Sequence, residues 1–202
     1  MLQISANYIF PGNSTPIKNG VVVLDDKNIV LEVLDPKTTP INWENVRIYE
    51  GIVCPGFVNT HCHLELSYLK GKVKEQTKLH GFIKDIISIR ESFSDDVRLE
   101  AMTAAEQEMK QNGIVAVGDI SNGTSTFKLK ATENLYYHTF VEVFGSDPNI
   151  ANEAFNHATS VYNTYFDKTK ASITPHATYS VSDKLTQLVN QHCKENNSLV
   201  SI

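Results

Sequence analysis

Cysteine is scarce, with only Cys54, Cys62 and Cys193 in 202 residues. An odd, sparse set builds no disulfide framework and fits a reducing cytoplasm better than secretion. Long hydrophobic runs are also missing. Stretches such as residues 114–117 stop after a few residues, against the ~20 a membrane helix needs. Residues 1–10 lack a basic segment followed by an apolar one, so no signal peptide is expected. Positive charge is outweighed, with 18 Lys and Arg against 23 Asp and Glu. That balance offers no basic footprint for nucleic acid. Two phosphate-binding signatures are absent as well: Gly-x-Gly-x-x-Gly after a first strand, and Gly-x-x-x-x-Gly-Lys-Ser/Thr. The expectation is a cytoplasmic protein with neither a nucleic-acid nor a membrane partner.

What is present is the composition of a folded chain, 41% hydrophobic and 20% charged. Residues 21–24 and 29–33 are β-rich runs around the polar turn Asp25-Asp26-Lys27-Asn28, which predicts a hairpin. No helical period occurs before residue 75. A short buried strand is expected over residues 52–59, entered through Pro55-Gly56. Leu79, Phe82, Ile83, Ile86 and Ile87 then fall on one face of a helix. A second helix is expected from about Asp95 to Asn112, with Asp95 and Asp96 in its first turn and Gly113 just past its end.

Strands and helices alternate from there. Strands are expected at residues 114–119, 139–144, 171–175 and 198–202. Helices are expected at residues 150–165 and 185–192, with Ser182 capping the latter; the helix expected between residues 121 and 137 is weak. Such alternation means a parallel sheet with helices outside. Without nucleotide-binding loops, a (β/α)₈ barrel is a better fit than an open doubly wound sheet.

The sharpest motif is Thr60-His61-Cys62-His63-Leu64-Glu65, at the exit of the first barrel strand. In extended backbone, residues i and i+2 point to the same side, so His61 and His63 can aim two imidazoles at one metal ion while Cys62 points away. Neutral imidazole suits zinc, iron or nickel. The carboxyl end of a strand is where parallel β/α proteins keep their sites. The alternative is two loop histidines bonded to backbone.

Residues 53–65, Val53-Cys54-Pro55-Gly56-Phe57-Val58-Asn59-Thr60-His61-Cys62-His63-Leu64-Glu65, resemble the first barrel strand of the amidohydrolase superfamily. The branch they resemble holds atrazine-type chlorohydrolases and the guanine, S-adenosylhomocysteine and aminodeoxyfutalosine deaminases. Thr174-Pro175-His176-Ala177-Thr178-Tyr179-Ser180-Val181-Ser182 is similar to the branch's fourth-strand segment, with Thr178 in place of its usual proline. The resemblance implies an α/β fold: a (β/α)₈ TIM barrel of a metal-dependent hydrolase, here incomplete with strands 1–5, preceded by part of a small β-sandwich. Residues 1–52 then form the partial sandwich and residues 53–202 the amino-terminal half of the barrel.

The resemblance also implies one divalent metal, zinc or alternatively iron, held first by His61 and His63. Its implied chemistry is attack of metal-activated water on a ring carbon of a purine-like or other nitrogen heterocycle, releasing an amine. His176, Glu65 and Glu91 are the implied substrate-binding residues, Glu91 by correspondence with a ribose-binding glutamate. The remaining metal ligands and the catalytic carboxylates are expected beyond Ile202, so no catalytic residue is assigned here. The chain is expected to be a piece of a longer enzyme, inactive alone. A homo-oligomer is compatible with this reading. The alternatives are a chlorohydrolase or cyclic amidase of the same superfamily, and a non-catalytic binding domain that has lost the metal. Asp119, ending the second barrel strand, either faces the site or caps a loop. His80, His138, His157 and His192 have no partner at metal spacing.

Overall fold

The computed structural model describes residues 1–175 and 177–201. His176 and Ile202, one an implied substrate ligand and the other the end of an expected strand, lie outside the described residues. The chain divides into two compact units at Gly56/Phe57.

The first unit is one five-stranded sheet. Strand β1 (Leu2–Ile9) pairs antiparallel with β2 (Ile17–Lys18) and β3 (Val21–Leu24), and β3 pairs antiparallel with β4 (Val30–Leu34). Strand β5 (Val46–Val53) runs parallel to β1 along its other edge. The hairpin between β3 and β4 forms where the sequence predicts it. Asp25 Oδ1 accepts the N–H groups of Lys27 and Ile29, each at 2.8 Å, and Asn28 takes the left-handed conformation that asparagine tolerates. Ala6, Ile9 and Val22 form the buried centre of this sheet.

The second unit is a four-stranded sheet, all parallel, in the order β6-β7-β8-β9. These strands are β6 (Phe57–Cys62), β7 (Ile114–Ser121), β8 (Tyr136–Val143) and β9 (Ala171–Pro175). The helices are α1 (Lys78–Ile89), α2 (Asp95–Gln111), α3 (Phe127–Lys130), α4 (Ala151–Thr164) and α5 (Asp183–Asn196). Every residue of β9 is buried, as expected of a parallel strand covered on both faces. Val141, Val143, Ile173, Ala158, Leu185 and Val189 join β8, β9, α4 and α5 in one core. Leu64, Met102, Val117 and Tyr137 make a second core beside α2. Within it Glu106 is buried and accepts from the Tyr137 hydroxyl at 2.9 Å and Asn134 Nδ2 at 3.0 Å.

Four expectations need correction. The strand expected over residues 52–59 is two strands: Ile52 and Val53 end β5 of the first sheet, and the barrel-type strand starts at Phe57. Pro55 explains the break, because it cannot donate to a ladder. Two short 3₁₀ helices, Trp43–Asn45 and Leu64–Leu69, precede residue 75. They are too short to show a helical period. The apolar face of α1 is not covered: Phe82 and Ile83 stay exposed, and no residue of the helix is buried. Periodicity reports that a face exists, not what covers it. Finally, residues 198–201 form no strand. Asn197 ends α5 in a left-handed turn, with Ser198 N–H returned to the Cys193 carbonyl. Ser201 then pairs with the Thr174 hydroxyl rather than with strand backbone.

Gly118 is where β7 lets β6 come close. A Cβ there would lie 2.7 Å from the Thr60 carbonyl oxygen, a backbone atom with nowhere to go. The ladder between β6 and β7 is irregular at that same level, between Asn59 and Cys62. Gly118→Ala is therefore expected to destabilise the protein by about 1–3 kcal/mol through overpacking. Urea denaturation against wild type measures it.

Candidate functional site

The carboxyl end of β6 carries the motif. His61 is the penultimate residue of the strand, Cys62 is its last, and His63 sits at the start of the 3₁₀ helix Leu64–Leu69. The strand thus ends one residue earlier than a simple alternation through His63 requires. The two rings still meet, with centroids 5.2 Å apart in an edge-to-face arrangement. The His61 N–H is held by Asn59 Oδ1 at 3.3 Å. Cys62 turns the other way and packs against the core beside α2. Burial and the nearby Asp119 charge push its thiol up to about 12, so it is a neutral thiol at pH 7.

Below the pair lies a buried ionic network that the sequence reading did not find. Asp119 and Lys130 form an ion pair at 2.6 Å, both side chains fully buried. The Lys130 ammonium also donates to Ser121 Oγ at 3.0 Å and Thr139 Oγ1 at 2.9 Å, so all three of its protons are placed. The rings of Phe127, Tyr137 and Tyr165 surround it at 5.6 to 6.0 Å. Burial lowers the Lys130 pKa, and the Asp119 charge works against that drop. The other Asp119 oxygen accepts the Leu64 N–H at 2.8 Å. Of the two expectations for Asp119, this is the loop-capping one.

Glu65 is held as firmly. Its carboxylate accepts from the Asn122 N–H at 3.1 Å and from Asn122 Nδ2 at 3.0 Å. Burial raises its pKa, and these bonds pull it back. Glu65 and Glu91 border one depression of about 750 Å³ with Tyr68, Arg98, Asn122 and Lys128. Glu91 is exposed and pairs with Arg90 at 3.2 Å. His63 borders a neighbouring depression of about 580 Å³, and Leu66 and Tyr68 line both. The structure thus brings together His61 with His63, and sets Glu65 and Glu91 on the border of one depression. His176 belongs after β9, outside the described residues.

Two neutral imidazoles are the right donors for zinc or iron, but they are two of the four ligands a closed tetrahedral site uses. Among the described residues, no group of three or more His, Cys, Asp or Glu could hold a metal ion. The histidine pair fits a metal as half of its coordination shell. Among the described residues, no helix is long and apolar enough to cross a membrane.

His138, on β8, has a structural job. Its Nε2 lies 3.0 Å from Ser172 Oγ, and its ring packs on Phe140. Burial lowers its pKa below the ordinary 6.5. Between that lowered value and 6.5 the unfolded chain binds more protons, so stability falls as pH drops through the window. Thermal unfolding between pH 7 and 5 is expected to show a shallower pH slope in His138→Gln than in wild type.

Comparison with known proteins adds to this geometry. Residues 52–202 match the model of the Amidohydrolase family. A Helicobacter pylori adenosine deaminase is 25% identical over 185 residues, covering 89% of this chain and 44% of that relative. Among solved structures, Helicobacter pylori aminofutalosine deaminase in complex with methylthio-coformycin superposes with a TM-score of 0.77 at 21% identity. That match covers 99% of this chain and 50% of the other. Atrazine chlorohydrolase from Arthrobacter aurescens, complexed with zinc, gives 0.73 at 14% identity, covering 99% and 52%. The chain spans about half the length of the proteins it matches.

Proposed function

We propose a function on the premise that the chain belongs to the amidohydrolase family. In this reading the chain is part of a metal-dependent aminohydrolase that releases ammonia from a purine-like or related nitrogen heterocycle. Strands β6 to β9 are the first four of a (β/α)₈ barrel, and later strands supply the remaining ligands. Residues 1–52 belong to a β-sandwich domain and residues 53–202 to the barrel. The observation that carries the reading is the pairing of the His61 and His63 rings at 5.2 Å, at the carboxyl end of the first parallel strand.

His61 and His63 would hold the metal through their imidazoles. When bound, zinc or iron supplies Lewis acidity, which brings the pKa of water down to about 7. Glu65 is fixed by Asn122 and offers the heterocycle an oriented acceptor. Glu91, across the same depression, accepts from a polar substituent such as a sugar hydroxyl. His176 is assigned to the heterocycle by the resemblance of residues 174–182 alone. The rate enhancement these residues can give is one of orientation, since each fixes a reacting partner before the barrier is climbed.

Metal analysis and product assays on the purified protein carrying this chain test the reading. The expected result is about one zinc or iron per chain and ammonia release from an adenosine-type, guanine or aminodeoxyfutalosine substrate. Chloride release from a chlorotriazine would make the protein a chlorohydrolase, a reading the superposition on the zinc-complexed chlorohydrolase supports. No metal and no product would leave a non-catalytic binding domain.

A further inference from the structure

We propose that Asp119 is a positioning residue for the histidine pair, acting through the Leu64 N–H with Lys130 as its lock. The inference rests on the metal reading above and adds a role to residues that reading does not use. The segment after β6 leaves the sheet at His63, where no ladder bond can orient it. Two side-chain tethers from the end of β7 hold it instead. Asp119 Oδ1 takes the Leu64 N–H at 2.8 Å, one residue past His63. Asn122 takes the Glu65 carboxylate, two residues past it. Asn122 is polar and half-buried, whereas Asp119 is fully buried and charged, so the first tether is the stiffer one.

Asp119 can act this way only if its carboxylate has a single orientation. Lys130 and the Ser121 hydroxyl both bond Oδ2, at 2.6 and 3.2 Å, which leaves Oδ1 aimed at Leu64. Thr126 lies 3.4 Å from the Ser121 hydroxyl, and Thr139 fills the remaining proton of the ammonium. Besides the Cys62 thiol, which also bonds Asp119, the network meets the motif at the Leu64 amide. A purely structural ion pair has no need of that contact. Groups beyond the metal's own ligands that fix their orientation typically change metal affinity 10- to 100-fold when removed.

Two double variants separate positioning from stability. Asp119→Leu/Lys130→Met and Asp119→Asn/Lys130→Met both remove the buried charges. Only the asparagine keeps an oxygen for the Leu64 N–H. Ile173→Ala, in the core of β9, serves as a control for general destabilisation. The readouts are zinc affinity by chelator competition and the visible spectrum of the Co²⁺-substituted protein. The expected result is a 10- to 100-fold weaker zinc affinity with an altered Co²⁺ spectrum for the leucine variant. The asparagine variant should stay within a few-fold of wild type.

Equal affinities in the two double variants, or a leucine variant no weaker than Ile173→Ala, overturn the proposal. A wild type that binds no metal overturns both this proposal and the metal reading, whereas a metal-binding wild type with unaffected variants overturns this one alone. Should the leucine variant fail to fold, hydrogen exchange at the Leu64 amide of the wild type reads the same contact. Coupling is reciprocal, so zinc should slow that exchange. An exchange rate indifferent to zinc overturns the proposal.

Discussion

His61→Ala and His63→Ala are each expected to lower turnover by more than about 10²-fold, above the loss typical of removing an outer partner of a metal ligand. Metal content should fall with activity, because one imidazole cannot hold its side of the ion. Stability should behave differently at the two positions. His61 is exposed at the end of β6, so its replacement is expected to leave the unfolding free energy within about 0.5 kcal/mol. His63 is half-buried at the rim of the depression that Tyr68 and α2 also line, and its loss should cost somewhat more. Metal analysis, turnover and urea denaturation on the same preparations check all three statements. A His61→Ala protein with full metal content and full turnover would remove the basis of the proposed function.

The largest stability effect is expected at Lys130. Lys130→Ala leaves the Asp119 carboxylate buried with no counter-charge, a change that typically costs 3–5 kcal/mol. Against a total of roughly 5–15 kcal/mol for a folded domain, that is a large share of the stability. Asp119→Asn/Lys130→Met should recover most of the loss, because an ion pair replaced by well-packed groups of similar volume is often neutral. The denaturant midpoints of the single and double variants decide it. A double variant as unstable as Lys130→Ala would mean that the loss comes from the missing hydrogen bonds to Ser121 and Thr139 rather than from the unpaired charge.

The parts of this protein that were legible in the sequence are those whose signal is local. The hairpin at Asp25–Asn28 needs only its turn residues, and α2 needs only Asp95 and Asp96 in its first turn and Gly113 past its end. The histidine pair was legible because its i, i+2 spacing at a strand end signals it, although the strand itself stops at Cys62. Lys130 was not. It sits on α3, a single helical turn too short to show a period, and its partner lies eleven positions back on a neighbouring strand. The available clue was Asp119 itself, a carboxylate near the end of a buried strand, which requires a positive partner somewhere. The expected last strand failed for a related reason. Residues 198–201 have strand-forming side chains, but a strand exists only by pairing, and Ser201 pairs with the Thr174 hydroxyl. Glu91 was placed by resemblance, and the structure gives it an exposed pairing with Arg90 beside the same depression as Glu65.

The strand order has a consequence for the time course of folding. In the second sheet, among the described residues, each strand pairs only with the next one along the chain, β6 with β7, β7 with β8 and β8 with β9. Each new β/α unit therefore docks on a neighbour that has already been synthesised, and the sheet can grow in the order of translation. The first sheet cannot. Strand β1 gains its parallel partner only when Val46–Val53 returns to Leu2–Ile9, closing a loop of about forty residues. Non-local pairing of that kind is slow compared with local pairing. Strand β1 is thus paired along one edge early and along the other only once β5 is made, and β6 waits across the still longer separation from Phe57 to Ile114 for its partner.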